Sequence, residues 1–385
     1  MHIGYFLNQN NLGLAKPFGQ VLAQGRDIAQ YCDANGWDSI WTTEHHFGHE
    51  GLEVCPNPVM MSTDLAARTQ RLRIGQAANI ITFRHPLQLA EDLAMLDHMC
   101  DGRLEVAVGR GVYPRETINM NPKADIRNSA ANRALFVETL EVMRAAWTQP
   151  FFSYKGEHYE FPYPGVSFDH AMSPPLPENT DPETGNLTAL SLVPRPLQTP
   201  HPPLWQVIDT PTSIEYAAAN GLKGLFWIPP TDSLISRFEL YQKATPDGLP
   251  LGKNVGVLRD MFVSETMKEA RDIAGEGLLT YLRWVCHYRG LGNHMFPGEA
   301  LPDTPGKLDA LTYDWLHPRN MLFGTPDYVI EKIEDMREKL NLETLLVWSN
   351  FPGVPHDAVM RSIKLFTEEV MPKLYAPTGL RSAVG

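Results

Sequence analysis

The chain has 385 residues, 43% hydrophobic and 20% charged, the balance of a globular enzyme and not of a disordered chain. Thirty-three Lys and Arg against forty-five Asp and Glu leave a net charge of −12, which gives no general attraction for nucleic acid or an anionic membrane. No stretch approaches the ~18 uninterrupted apolar residues of a membrane span.

The N-terminus, MHIGYFLNQN, lacks a basic and apolar leader and already reads as a strand. The expectation is a mature start at this point and a cytoplasmic location. Cys32, Cys55, Cys100 and Cys286 form no CxxC pair, so a zinc ribbon or redox motif is absent and the sparse thiols suit a reducing compartment.

Taken in chain order, Ile3–Leu7 reads as a strand. Residues 17–35 carry apolar positions at helical spacing (Val21, Leu22, Ile28, Ala29, Cys32) and stop at Asn35-Gly36, a plausible helix end. Ser39–Thr43 is a β-branched and aromatic strand, 57–69 is helical, and Leu72–Ile80 is the third strand. Pro86–Met99 is a helix opened by proline, Leu104–Val108 a strand, and 127–148 a long amphipathic helix. Residues 150–203 break the alternation with many prolines (PLPENTDPETG, PRPLQTPHPP). A loop of this length inside a domain is usually functional or disordered, and it is no linker between domains, because the alternation resumes. Strands follow at Leu204–Ile208, Gly224–Ile228 and Gly256–Val263, with helices at 212–220 and 231–243 between them. Helix 267–288, an irregular stretch 289–320, helix 326–340, strand Leu345–Trp348 and helix 356–374 complete the chain.

Eight strands, each followed by a helix, predict a parallel α/β protein. That number favours a (β/α)8 TIM barrel, one domain over 1–385 with long insertions, over a doubly wound open sheet. The turn after the first strand, Asn8 to Gly13, also lacks the GxGxxG expected of the open-sheet competitor.

Barrel chemistry sits at the C-terminal ends of strands. After the second strand comes Thr43-Glu44-His45-His46-Phe47. Consecutive residues point in opposite directions, so at most one histidine faces the mouth. An imidazole there is an acid or base near neutral pH, or a structural group bonded to a loop carbonyl. Adjacent histidines cannot easily share one ion, and no HxH or HExxH spacing appears, so no metal is expected. Gly109-Arg110-Gly111 and Thr210-x-x-Ser213 together resemble an anion site: a guanidinium fork beside a helix N-terminus. The plainer reading is a helix cap and a surface arginine. Phe6, Phe47, Trp227, Trp348 and Phe351 lie near strand ends, as pocket wall or as core.

Five segments, in order and almost end to end, resemble the bacterial luciferase-like flavin monooxygenases, in particular the group like the luciferase α subunit. They are WTTEHHF (41–47), IGQAANIITFRHPLQLAEDLAMLDHMCDGRLEVAVGRGVY (74–113), DTPTSIEYAAANG (209–221), GTPDYVIEKI (324–333) and SIKLFTEEVMPKL (362–374). The resemblance implies a (β/α)8 barrel that binds FMN as reduced flavin, delivered by a separate flavin reductase. Dioxygen adds at flavin carbon 4a, and the resulting peroxide inserts one oxygen atom into an apolar small-molecule substrate. Carried over by position, His45 is the catalytic histidine and His46 its structural neighbour. Ala77 and Ala78 match the segment with a non-prolyl cis peptide under the flavin. Arg110 matches the phosphate arginine, with Val112 beside it in the same cofactor-binding loop. Asp209, Thr210 and Ser213 match the acidic residue and hydroxyls near the phosphate, and Trp227 a tryptophan near the ring.

The chain departs from the family in three places. Gly109 replaces a reactive cysteine, Asp209 replaces a glutamate, and 150–203 is longer than its counterpart and is expected to reshape the entrance. Residues 289–320 match the family's mobile active-site loop, a lid that would keep water out. A homodimer through the helices after strands two and three is the family default. Two other functions stay open at this level: a deazaflavin-dependent oxidoreductase on the same barrel, and a non-catalytic subunit like the luciferase β chain.

Overall fold

The computed structural model describes residues 1–168 and 170–375, and in it eight strands close into a ring. The barrel strands are β1 (His2–Leu7), β2 (Ser39–Thr42), β3 (Arg73–Ile80) and β4 (Leu104–Gly109). A two-stranded hairpin of β5 (Tyr154–Lys155) and β6 (Glu160–Phe161) intervenes. The ring then continues with β7 (Leu204–Val207), β8 (Lys223–Phe226), β9 (Val255–Val263) and, after the short β10 (Leu322–Gly324), β11 (Thr344–Trp348). Every barrel pair is parallel, and β9 closes the ring by pairing with both β8 and β11. The chain is a (β/α)8 TIM barrel, and the doubly wound alternative fails because the ring is closed. The predicted elements agree to within a few residues, and helices Pro86–Met99 and Pro326–Leu340 fall where their patterns end.

The alternation of side chains along each strand explains where the barrel is filled and where it opens. Trp41 and Trp205 meet edge to face with centroids 5.5 Å apart inside the ring. Gly75 makes room for this plug, since a Cβ there would lie 2.3 Å from the Trp41 ring. Two residues further along each strand, on the same face, come Thr43 on the β2 side, Ala77 on β3 and Val207 on β7. All three line a cavity of about 290 Å³ at the C-terminal end of the barrel. The register of β3 against β4 slips between Gln76 and Asn79, where the Ala77–Ala78 peptide is cis.

Sequence periodicity missed helix Pro114–Met120 after β4, which is too short to show a repeat. Its start signal was present: proline at the first position and Glu116 in the first turn. Residues 157–159 and 198 of the 150–203 segment tie it to helices Ser129–Thr148 and Pro86–Met99. Glu138 accepts hydrogen bonds from the backbone of Glu157, His158 and Tyr159, and Gln198 is bonded to Asp97. None of the described residues of this insertion lines the cavity. No described helix is long and apolar enough to cross a membrane.

Candidate active site

The loop after β2 folds back on itself because the His45 backbone N–H donates to the Cys55 carbonyl at 2.9 Å. That turn sets Glu53 opposite His45, with Nε2 3.2 Å from the Glu53 carboxylate. On the other side of the ring, Nδ1 lies 3.2 Å from Glu116, carried in by helix Pro114–Met120. His45 is therefore held between two carboxyl groups and lines the cavity. Burial alone would push its pKa down, but Glu53 and Glu116 outweigh it and raise it to about 9. Burial in turn raises the Glu53 carboxyl above its ordinary range. Tyr281 donates to one Glu53 oxygen at 2.6 Å, and the other oxygen has no partner among the described residues.

His46 turns away from the cavity, as strand alternation requires. Its Nε2 is 3.2 Å from Glu44, its backbone N–H donates to Glu116 at 2.9 Å, and its ring meets Phe83 edge-on. Glu44 is fully buried and accepts from the Ile80 N–H at 2.7 Å and from Arg84 at 3.0 Å. It thereby ties the β2 loop to the end of β3, beside Ala77 and Ala78.

At the opposite end of the cavity, Arg110 has carbonyl and amide partners only: Ser129 at 3.4 Å and Asn132 at 3.3 Å. Burial, and then the neighbouring Arg133, lower its pKa, the state of a partly desolvated cation without a counter-charge. Arg133 donates to the Thr212 carbonyl in the first turn of helix Pro211–Ala219. Sequence reasoning did not find Arg133, because it sits in mid-helix without a motif. Thr210 caps helix Pro211–Ala219 and Ser213 completes a capping box, its hydroxyl accepting from the backbone N–H groups of Asp209 and Thr210. The plainer cap reading and the cavity-lining reading are both met by these two residues.

Asp209 reaches the cavity wall, but its carboxylate is engaged elsewhere. Arg237 donates to one oxygen and Asn293 to the other, each at 2.7 Å. Ala77, Ala78, Val112 and Trp227 line the cavity as expected, and the Trp227 indole N–H points to Asp260 at 3.4 Å. Burial raises the Asp260 carboxyl to about 7. Of the other aromatics, Phe6 lines the cavity. Phe47 is 53% exposed, and Trp348 and Phe351 pack in the core, where Tyr281 meets Trp348 edge-on at 4.7 Å. Those three are not pocket wall. Tyr113 and Tyr281 take that part instead. Tyr281 comes from helix Glu276–Arg289, whose inward face no local motif marks.

The cavity also holds buried polar atoms without protein partners, the Thr43 hydroxyl and the Gln206 carboxamide oxygen. Such groups are costly to bury unless something polar meets them. An anion cradle at one end, unpaired acceptors and donors along the wall and a charged imidazole at the other end suit a phosphorylated heterocycle.

The chain matches the profile of the luciferase-like monooxygenases over residues 1–342. It is 25% identical to the alkanal monooxygenase alpha chain of the Kryptophanaron alfredi symbiont, over 92% of this chain and 93% of that one. It is 24% identical to 3,6-diketocamphane 1,6-monooxygenase of Pseudomonas putida, over 93% and 94%. The crystal structure of a monooxygenase from Streptomyces bottropensis superposes with a TM-score of 0.76 at 25% identity, covering 97% of this chain and 100% of that one. The oxygenating constituent of the Pseudomonas putida enzyme, solved in complex with FMN, shares the fold at a TM-score of 0.76 and 21% identity, over 97% and 98%. A family match across nearly the whole barrel, together with this cavity at its C-terminal mouth, means that the chain belongs to the luciferase-like monooxygenase family and is a flavin-dependent enzyme.

Proposed function

We propose that the protein is the oxygenase component of a two-component system: it takes reduced FMN from a separate flavin reductase and inserts one atom of dioxygen into a small, largely apolar molecule. The observation that carries this reading is the Arg110 guanidinium, partly desolvated and without a carboxylate, beside the N-terminus of helix Pro211–Ala219. A phosphate supplies the missing charge there. Arg110, Arg133 and the helix N-terminus hold it, and Thr210 and Ser213 keep that terminus in shape. Gln206 and Thr43 offer the ring its polar contacts, Ala77, Ala78 and Val112 give it a close-fitting apolar bed, and Trp227 walls it.

Reduced FMN, when bound, supplies the two electrons that let dioxygen yield one inserted atom and one molecule of water. The chain's residues manage protons and water around that chemistry. His45 carries a proton at neutral pH, because Glu53 and Glu116 stabilise the imidazolium. It is placed to give that proton to an oxygen anion formed beside it, and Glu116 fixes the ring through Nδ1. The apolar wall and a lid built from 289–320 exclude water. A second copy of the chain is the expected partner through the helices after β2 and β3, where Met60, Met95 and Met99 stand exposed. Sedimentation at micromolar concentration tests this, and a monomer there refutes it.

The deciding experiment is an anaerobic titration with reduced FMN, reduced riboflavin and a 5-deazaflavin. FMN is expected to bind at least roughly ten-fold more tightly than riboflavin, and Arg110→Ala to remove that margin. Admission of labelled dioxygen with a flavin reductase and a substrate panel then reads label in the product. Equal affinity for FMN and riboflavin refutes the phosphate cradle, and a preference for the deazaflavin moves the chain to hydride transfer.

A further inference from the structure

Two arginines line the cavity, Arg110 and Arg289, and a phosphate accounts for only one. Arg289 is the last residue of helix Glu276–Arg289, and the chain turns away at Gly290. A basic residue at a helix C-terminus is ordinary, since the dipole favours it, but that does not require it to face a cavity. The two cations stand at different ends. Arg110 has Arg133 for its charged neighbour, whereas Arg289 acts on Glu53, Tyr113 and Tyr281, the groups around His45. Among the described residues Arg289 has neither an ion pair nor a hydrogen bond, in an acidic chain where Arg84, Arg115, Arg237 and Arg319 each pair with a carboxylate. Glu53, a buried acid of the same cavity, is not within ion-pair range of it and turns instead to His45 and Tyr281.

Tyr113 lines the same cavity as Arg289, and Trp284 and Tyr288 pack against its ring from outside the lining. The Tyr113 ring is 4.6 Å from Trp284 and 5.1 Å from Tyr288, centroid to centroid. A guanidinium fork at the edge of an aromatic wall is complementary to a flat ring bearing a carboxylate. On the reading of the site as an FMN-dependent oxygenase, we propose that Arg289 selects the substrate: an aromatic or otherwise flat molecule that carries an acidic group. The acid is held at Arg289 and the apolar ring lies in the cavity against Tyr113 and His45, whose own rings are 5.6 Å apart. The substrate is then apolar in the part that reacts and anionic at the end that is recognised.

The test uses FMN-loaded protein and a panel of one- to three-ring aromatic carboxylates, each paired with its neutral amide. Binding is read from the perturbed absorbance of the bound flavin. At least one carboxylate is expected to bind roughly ten-fold or more tightly than its amide. Arg289→Gln should remove that preference while the affinity for FMN stays the same. If no carboxylate is preferred over its amide, or if the preference survives in Arg289→Gln, the assignment is overturned. Failure of FMN itself to bind is a separate result that rejects the cofactor reading and not the selectivity of Arg289. Arg289→Lys serves as the folded control. It keeps the charge but loses the fork, so an intermediate preference is expected, and full loss of FMN binding in both variants would overturn the assignment of Arg289 to the substrate.

Discussion

His45 shows how far a single residue is defined by its neighbours. In the unfolded chain its pKa is near 6.5, and in the folded chain it is raised to about 9, Glu53 and Glu116 outweighing burial. A group whose folded pKa lies above its unfolded value adds stability that is complete below pH 6.5 and is lost as pH rises through about 9. The expected loss over that window is on the order of 1–3 kcal/mol, seen as a falling urea midpoint. Glu53→Gln removes one of the two carboxylates and should bring the His45 titration, followed by NMR, down toward 6.5. A His45 pKa unchanged in that variant would show that Glu53 does not hold the proton. Glu44 illustrates the opposite case. Its buried carboxylate accepts from the Ile80 N–H and from Arg84, with the His46 Nε2 3.2 Å away, so its part is to fix the loop.

At the scale of elements, the turn between β4 and helix Pro114–Met120 decides whether Glu116 reaches His45. Gly111 sits at φ +84°, and a Cβ there would lie 2.5 Å from the Thr117 methyl. Backbone strain and the clash act together, so Gly111→Ala should destabilise the protein by roughly 1–3 kcal/mol. The same change should push helix Pro114–Met120 outward, taking Glu116 from His45 and lowering the histidine's pKa. Denaturation together with the His45 titration checks this, and an unchanged pKa in a destabilised variant would uncouple the turn from the site. On the facing side of the cavity, the capping box of helix Pro211–Ala219 does similar work by keeping the first-turn N–H groups in line beside Arg110.

Across the whole molecule, the start of helix Pro211–Ala219 and the segment 289–320 are joined through Asp209. Its carboxylate accepts from Arg237 and Asn293, and Arg237 also reaches Asn293 at 3.3 Å. Asp209 thus latches the start of the proposed lid to the end of β7 and to helix Thr231–Ala244. Asn293→Ala should loosen that latch and admit water. The expected result is a several-fold larger share of reduced flavin spent as hydrogen peroxide, with FMN affinity little changed. A catalase-linked oxygen assay measures the share, and an unaltered share would remove Asp209 from any part in closure.

The sequence by itself determined the architecture and the outline of the site. Strand and helix periods differ, and alternating them eight times leaves few folds beside a closed barrel. Because barrel chemistry gathers at strand ends, His45, Arg110, Thr210, Asp209 and Trp227 could be named from their positions alone. Tertiary structure decided what those residues do. Glu116 lies 71 residues from His45, and no periodicity relates the two. Glu53 depends on the backbone hydrogen bond from His45 to Cys55. Asp209 was read as a phosphate neighbour from its position, but that its carboxylate is held by Arg237 and Asn293, 28 and 84 residues away, was not legible there. Arg289 was one basic residue among thirty-three until the cavity showed it facing inward. Periodicity records which side of an element is buried. Proton affinity and ligand choice depend on hydrogen bonds and charges a few ångströms apart across loops, and those distances exist only once the barrel has closed.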